Sequence, residues 1–274
     1  MMAVTLALAA SCAQHKAPKI LVLYYSQTGN TKAVAEQLQT RLGADIEAIV
    51  PVVPYDGDFK ATIDRSINER EEGSYPEIQP LASNLKDYDI VFLGYPVWFG
   101  TFAPPVSAML ASVDLSGKKI VPFCTFGSGG LDSSINDLKT KAPGAEILPG
   151  YGVRAARMDA VPAELDRFLI RGGFVEGECP ELEEFPEAHE VSEEESAIFD
   201  AAVGDYPMMH AKAVEVASRA VPEGTEYLFA AKDEPRGDAP SGDMPPAGTI
   251  KVYVLAADGQ APVFTQVVRM PMDR

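Results

Sequence analysis

Ile20-Leu21-Val22-Leu23-Tyr24-Tyr25 is an unbroken apolar run that passes straight into Ser26-Gln27-Thr28-Gly29-Asn30-Thr31. Val34, Leu38 and Leu42 follow at a spacing of four, with Ala35 beside them. A short apolar run, a polar turn and then a helical period read as strand, loop and helix. A strand with no alternation of apolar and polar residues belongs inside a parallel sheet covered by helices. The same sequence repeats along the first half of the chain. Strands are expected near 19–25, 45–50, 88–94, 119–124 and 145–149. Helices are expected near 31–42, 60–71, 104–112, 131–141 and 161–171. Alternating strands and helices predict a doubly wound α/β domain with five parallel strands.

The turn after the first strand suits an anion. The first N–H groups of a helix lack partners, and the helix dipole favours negative charge there. Ser26, Thr28, Asn30 and Thr31 can add donors, and Gly29 permits a tight backbone. The loop lacks the G-x-x-x-x-G-K-S/T of nucleotide hydrolases and the G-x-G-x-x-G of dinucleotide folds. Alone it could be an ordinary strand-to-helix turn, because these residues are common at helix starts.

Two further strand ends carry ligand-type loops. Asp87 to Gly94 runs into Tyr95-Pro96-Val97-Trp98-Phe99-Gly100-Thr101, which holds the single tryptophan of the chain. Lys119 to Cys124 runs into Thr125-Phe126-Gly127-Ser128-Gly129-Gly130 before a helix near Leu131. In open parallel sheets, ligands bind beyond the carboxyl ends of the strands at the switch in strand order. An aromatic loop at that place can stack on a planar ring.

Taken together, the three loops make residues 18 to about 172 resemble the flavodoxin family. The carrying motifs are Ser-x-Thr-Gly-x-Thr, Tyr-Pro-x-Trp and Gly-Ser-Gly-Gly. The resemblance implies an FMN cofactor. Ser26, Gln27, Thr28, Gly29, Asn30 and Thr31 would hold its phosphate. Pro96, Val97, Trp98, Phe99 and Gly100 would lie along the isoalloxazine, with Trp98 stacked on it. Thr125, Phe126, Gly127, Ser128, Gly129 and Gly130 would close over the pyrimidine side. Related proteins often place a second tryptophan where this chain has Phe99.

Composition narrows the partners. The chain has 274 residues, enough for two domains, and its apolar fraction of 46% suits packed cores. A net charge of −17 argues against nucleic acid and against docking on anionic lipid. Around a flavin, such a field disfavours the anionic reduced form and lowers the reduction potential. Cys124 reads as a buried structural thiol, and Cys179 lies in acidic surroundings. Neither the cysteines nor His15, His189 and His210 have metal-ligand spacing.

Residues 1–17 read as a signal and tether. Met1 to Ala10 is a short apolar run without a preceding basic residue, and Ala9-Ala10-Ser11-Cys12 resembles a bacterial lipobox. The resemblance implies lipidation at Cys12, export to the bacterial envelope and membrane attachment. The alternative is a cytoplasmic protein.

Residues 18–175 form the expected flavodoxin-like domain, and residues 176–192, rich in glutamate, the expected linker. Residues 193–274 are expected to form a small α+β domain. Ser192-x-x-Glu195 is a capping box before a helix ending near Gly204. Antiparallel strands follow near 211–220, 224–232, 249–256 and 262–269, the last pair turning at Asp258-Gly259. One helix and four strands resemble the cystatin-like fold. Ala220 and Pro222 stand where inhibitory cystatins have glutamine and valine, so protease inhibition is not implied. Residues 233–248 read as a long loop, and the Arg236-Gly237-Asp238 within it as a chance match to an adhesion motif.

The function these features imply is that of an FMN-binding redox protein. It would either transfer electrons or reduce a small acceptor such as a quinone, with a redox protein or a membrane quinone as partner. No nucleophile, triad or paired acid is visible, which suits chemistry carried by the cofactor. The alternative is a non-enzymatic exported lipoprotein whose C-terminal domain binds a partner while the first domain serves as scaffold.

Overall fold

The computed structural model describes residues 17–56, 59–204, 206–207, 209–233 and 248–269. Cys12 and the lipobox, His15, and residues 234–247 with Arg236-Gly237-Asp238 lie outside the described residues.

The first half is a parallel sheet covered on both faces. Its strands are β1 (Ile20–Tyr24), β2 (Asp45–Ala48), β3 (Ile90–Trp98), β4 (Thr101–Phe102), β5 (Lys119–Phe126), β6 (Glu146–Ile147) and β7 (Tyr151–Arg154). The order is β2-β1-β3-β5-β6, with β4 paired to β3 and β7 to β5. Every pair among these strands is parallel except β3 with β4.

Alternate residues of the central strands feed two separate cores. Leu21, Leu23, Val91, Leu93, Tyr95, Ile120 and Cys124 face one layer, with Val106, Met109 and Leu110 of α3 (Pro104–Ser112) and Leu138 of α4 (Leu131–Lys141). Val22, Tyr24, Ile90, Phe92, Val121 and Phe123 face the other. That layer is completed by Val34, Ala35 and Leu38 of α1 (Asn30–Leu42) and Val161, Leu165 and Leu169 of α5 (Val161–Arg171). The apolar runs lack alternation because both faces are buried. Each fully buried Leu, Val or Phe contributes about 1.5–3 kcal/mol of burial free energy. The remaining helix, α2 (Phe59–Glu72), lies beside α3.

Two expectations need correction. The strand expected over 88–94 continues to Trp98, because Pro96 pairs in register with Thr125 and the chain then folds back as a hairpin. The strand expected over 145–149 is two short pieces, β6 and β7, both alongside β5. Pro149-Gly150 separates them: proline supplies no N–H for a ladder, and a Cβ on Gly150 would sit 2.8 Å from the Pro122 carbonyl oxygen.

The second half is a five-stranded antiparallel sheet in the order β12-β11-β10-β9-β8. Its members are β8 (His189–Glu190), β9 (Ala211–Val221), β10 (Gly224–Asp233), β11 (Gly248–Ala257) and β12 (Val263–Arg269). One helix, α6 (Glu193–Val203), packs on it through Phe199. The capping box forms in full: the Glu195 N–H donates to Ser192 Oγ (3.3 Å) and the Ser192 N–H to Glu195 Oε2 (3.0 Å). The acidic segment before α6 does more than connect. It supplies β8, and Phe185 packs against Tyr253 and under the Arg219 guanidinium.

Candidate functional site

The carboxyl ends of β1, β3 and β5 stand level, because Tyr24 pairs with Gly94 and Gly94 with Phe123. The three expected loops therefore emerge side by side. The chain leaves β1 for β2 on one side and β3 lies on the other, which is the switch point of an open sheet.

The first loop ends in a bare helix terminus. Gly29 caps α1 in the left-handed conformation (φ 94°), no side chain caps it, and no acid occupies its first turn. Among the described residues, the N–H groups of Asn30, Thr31 and Lys32 have no partner. Three orphan donors at the positive end of a 13-residue helix form an anion cradle.

The side chains of this loop divide into scaffold and free donors. Gln27 is scaffold: its Oε1 accepts from the Tyr25 hydroxyl (2.5 Å), and its Nε2 donates to the Tyr55 carbonyl (2.8 Å). Ser26 Oγ accepts from the Gly29 N–H (3.2 Å). The Thr31 hydroxyl is buried and bonded to the Thr125 hydroxyl (2.8 Å), tying the first loop to the third. Among the described residues, the side chains of Thr28 and Asn30 have no partner.

The second loop is a tight hairpin. Trp98 pairs with Thr101 across Phe99 and Gly100, which have φ of 54° and 77°. Positive φ at both central residues is the type I′ turn, which matches the twist of paired strands. Trp98 is half-buried, edge-on to Tyr25 (6.1 Å) and Tyr55 (5.4 Å). Tyr55 is in turn held by the Arg65 guanidinium, 3.9 Å from its ring centroid, and by a hydroxyl bond to Glu69. Arg70 covers Phe99 at 4.8 Å. Burial, reinforced by Glu69, drives the Tyr55 phenol far above its ordinary range, and burial does the same for Tyr25. Both rings stay neutral.

Tyr55, Arg65, Glu69 and Arg70 escaped the sequence reading. Arg65 and Glu69 stand at i and i+4 on α2, a visible helix pair. Nothing local connects them to Tyr55.

The third loop faces two ways. Gly130 (φ 112°) packs on the second loop, since a Cβ there would sit 2.6 Å from Val97 Cγ1. Ser133 Oγ donates to the Gly100 carbonyl (2.5 Å). On its other side the loop meets Arg154 of β7 and the C-terminal sheet. The Gly127 carbonyl accepts from Arg154 Nε (2.8 Å), and the Ser128 carbonyl accepts from the Val267 N–H (2.7 Å).

The structure thus brings Ser26–Thr31, Pro96–Gly100 and Thr125–Gly130 together at one end of the sheet. Cys124 is fully buried behind them, and burial drives its thiol far upward, so it is no nucleophile.

A sequence model of the flavodoxins matches residues 19–161. Among solved structures, a protein from Bacteroides eggerthii assigned as a flavoprotein is 33% identical, covering 54% of this chain and 96% of its own, with a TM-score of 0.48. One from Bacteroides uniformis, likewise assigned, is 26% identical over 55% of this chain and 99% of its own, with a TM-score of 0.49. A flavoprotein from Lactobacillus acidophilus, solved in complex with FMN, is 25% identical over 55% of this chain and 97% of its own, with a TM-score of 0.47.

Proposed function

Because this chain belongs to the flavodoxin family, we propose that its first domain binds FMN and that the protein is an FMN-dependent redox protein. The observation that carries the reading is the bare N-terminus of α1, opening between three level strand ends with no acid in its first turn. A terminus left uncapped by its own side chains suits a phosphate.

Residues present here fit the cofactor. The N–H groups of Asn30, Thr31 and Lys32, with the side chains of Thr28 and Asn30, would hold the phosphate. Trp98, braced by Tyr25 and Tyr55, would support the ring. The third loop would meet the ring's polar edge. FMN itself supplies the redox chemistry. The chain's own work is to bind, orient and set the field.

Two uses of the flavin follow: exchange of electrons with a protein partner, or reduction of a small acceptor such as a quinone. A lipidated Cys12 would place either use at a membrane.

The test is a titration of purified full-length protein with FMN, FAD and riboflavin. We expect stoichiometric FMN with an absorption band near ~450 nm, a property of the flavin itself. FMN should bind more tightly than riboflavin, because a phosphate makes charge-assisted hydrogen bonds. Absence of any flavin binding overturns the proposal.

A further inference from the structure

Arg154 ends β7 and is 8% exposed. Among the described residues no carboxylate pairs with it. The neighbouring buried arginine, Arg157, does have one, in Glu164 at 2.7 Å. Arg154 Nε instead donates to the Gly127 carbonyl (2.8 Å) and Nη1 to the Phe264 carbonyl (2.9 Å). Its guanidinium lies 3.3 Å from the Phe264 ring centroid and 5.4 Å from that of Tyr206. A buried unpaired cation is costly, and here carbonyl dipoles and aromatic faces offset part of the cost. Burial pulls the guanidinium down to about 10, so it stays charged at neutral pH. One cation therefore bonds the third loop and the C-terminal sheet together.

A second contact joins the same surfaces. The Val267 N–H, on the edge strand β12, donates to the Ser128 carbonyl (2.7 Å). A Cβ on Gly129 would overlap the Val267 carbonyl oxygen, so only glycine admits the strand so close. No peptide bond described is cis, and in a trans peptide C=O and N–H point opposite ways. The Gly127 carbonyl faces the Arg154 guanidinium and the Ser128 carbonyl faces β12. The N–H groups of Ser128 and Gly129 must then face away from these two partners, and neither has a partner of its own among the described residues.

We propose that the C-terminal domain is a working part of the flavin site. By holding the Ser128 carbonyl directly and the Gly127 carbonyl through Arg154, it aims two amide donors at the polar edge of the flavin ring. Its Phe264 carbonyl and ring also hold Arg154 of the first domain, the positioning residue of this contact, and bury its positive charge beside the third loop. Docking of the second domain therefore sets the affinity for the ring and favours the reduced, anionic flavin. The inference rests on the FMN reading above.

Four variants of the full-length protein test it. Val267→Pro removes the N–H that reaches Ser128 but no atom of the first domain. Proline is tolerated on an edge strand where the N–H points away from the ladder. Gly129→Ala presses a methyl onto Val267. Arg154→Met removes the charge, and Arg154→Lys restores it without the guanidinium fork.

Val267→Pro, Gly129→Ala and Arg154→Met should each weaken FMN and riboflavin by the same factor, about tenfold, because the ring and not the phosphate loses its partner. Arg154→Met should weaken the reduced flavin about tenfold more than the oxidised, a midpoint lower by about 30 mV for a two-electron couple. Arg154→Lys should keep the wild-type midpoint while losing affinity. If Val267→Pro unfolds the second domain, circular dichroism and proteolysis will show it, and the same loss for both ligands is still required. Wild-type affinity and midpoint in Val267→Pro, Gly129→Ala and Arg154→Met, with FMN bound, overturn this inference alone. Failure of the wild-type protein to bind FMN overturns the underlying reading instead.

Discussion

Asn30→Asp is the most direct probe of the first loop, because it should move stability and cofactor affinity in opposite directions. Asn30 is the first residue of α1, and three unpartnered N–H groups begin there. The substitution is isosteric and places a carboxylate at the positive end of the helix. In the apoprotein this should stabilise by about 0.3–1 kcal/mol. For a domain of this size that is roughly 1–3 °C in Tm. With FMN bound, the carboxylate faces a phosphate of charge about −1.5 to −2. A unit charge pair at about 4 Å is worth ~1 kcal/mol in water and ~4 kcal/mol near a protein surface. The site is partly open, and one amide donor is also lost, so a penalty of about 2–4 kcal/mol is expected, thirty- to thousandfold in Kd. Riboflavin, lacking the phosphate, should change less than about threefold. The assay is parallel titration of apoprotein with both ligands at low and high salt, with thermal unfolding of the apo form. Salt should narrow the FMN penalty. An equal loss for both ligands, or an unchanged FMN affinity, would falsify the assignment of this helix terminus to the phosphate.

Two more expectations are independent of that loop. Trp98 is the only tryptophan, so its emission reports one place in the molecule; it should be quenched on flavin binding, and Trp98→Ala should cost FMN and riboflavin alike about 1–3 kcal/mol. Full emission in the flavin complex would mean that Tyr25 and Tyr55 box the indole for packing alone. At the other end of the chain, Cys12 should be the lipidated first residue of the mature protein, giving membrane fractionation in the native host that Cys12→Ser abolishes, since two acyl signals suffice for stable anchoring. Wild-type protein recovered from the cytosol with Met1 or Met2 intact would refute this and make a nicotinamide-linked reductase the better reading.

The strands that frame the site were legible because they are buried on both faces, which leaves an unbroken apolar run and a sharp polar end. Ser192 and Glu195 announced α6 because a capping box is local. The hairpin at Phe99-Gly100 was hidden. A type I′ turn is usually marked by Asn-Gly or Asp-Gly, and here a phenylalanine takes positive φ, held by strand pairing and by the Arg70 guanidinium. Proline is disfavoured inside a sheet, yet Pro96 pairs beside Thr125 at the strand's outer end. Gln27 was grouped with the phosphate donors by position alone. Its commitment to Tyr25 and Tyr55 depends on a residue 28 positions away.

In the proposal above, Arg154 counters the field that composition alone implies at such a site. The net charge of −17 says that the surface should hold a flavin potential down. Surface carboxylates, however, act through water and salt, and beyond a Debye length of about 8 Å they are largely screened. An interior cation acts through a lower dielectric, where the same separation is worth about four times as much. One buried guanidinium bonded to the third loop can therefore offset several exposed acids. Its effect was invisible in sequence because it depends on what Arg154 lacks. A counterion can be found or missed only when residues 127, 154, 264 and 267 are brought together. The same contacts explain the join between the two domains: β12 supplies the N–H that fixes the loop, and β7 supplies the charge. Neither domain alone holds both.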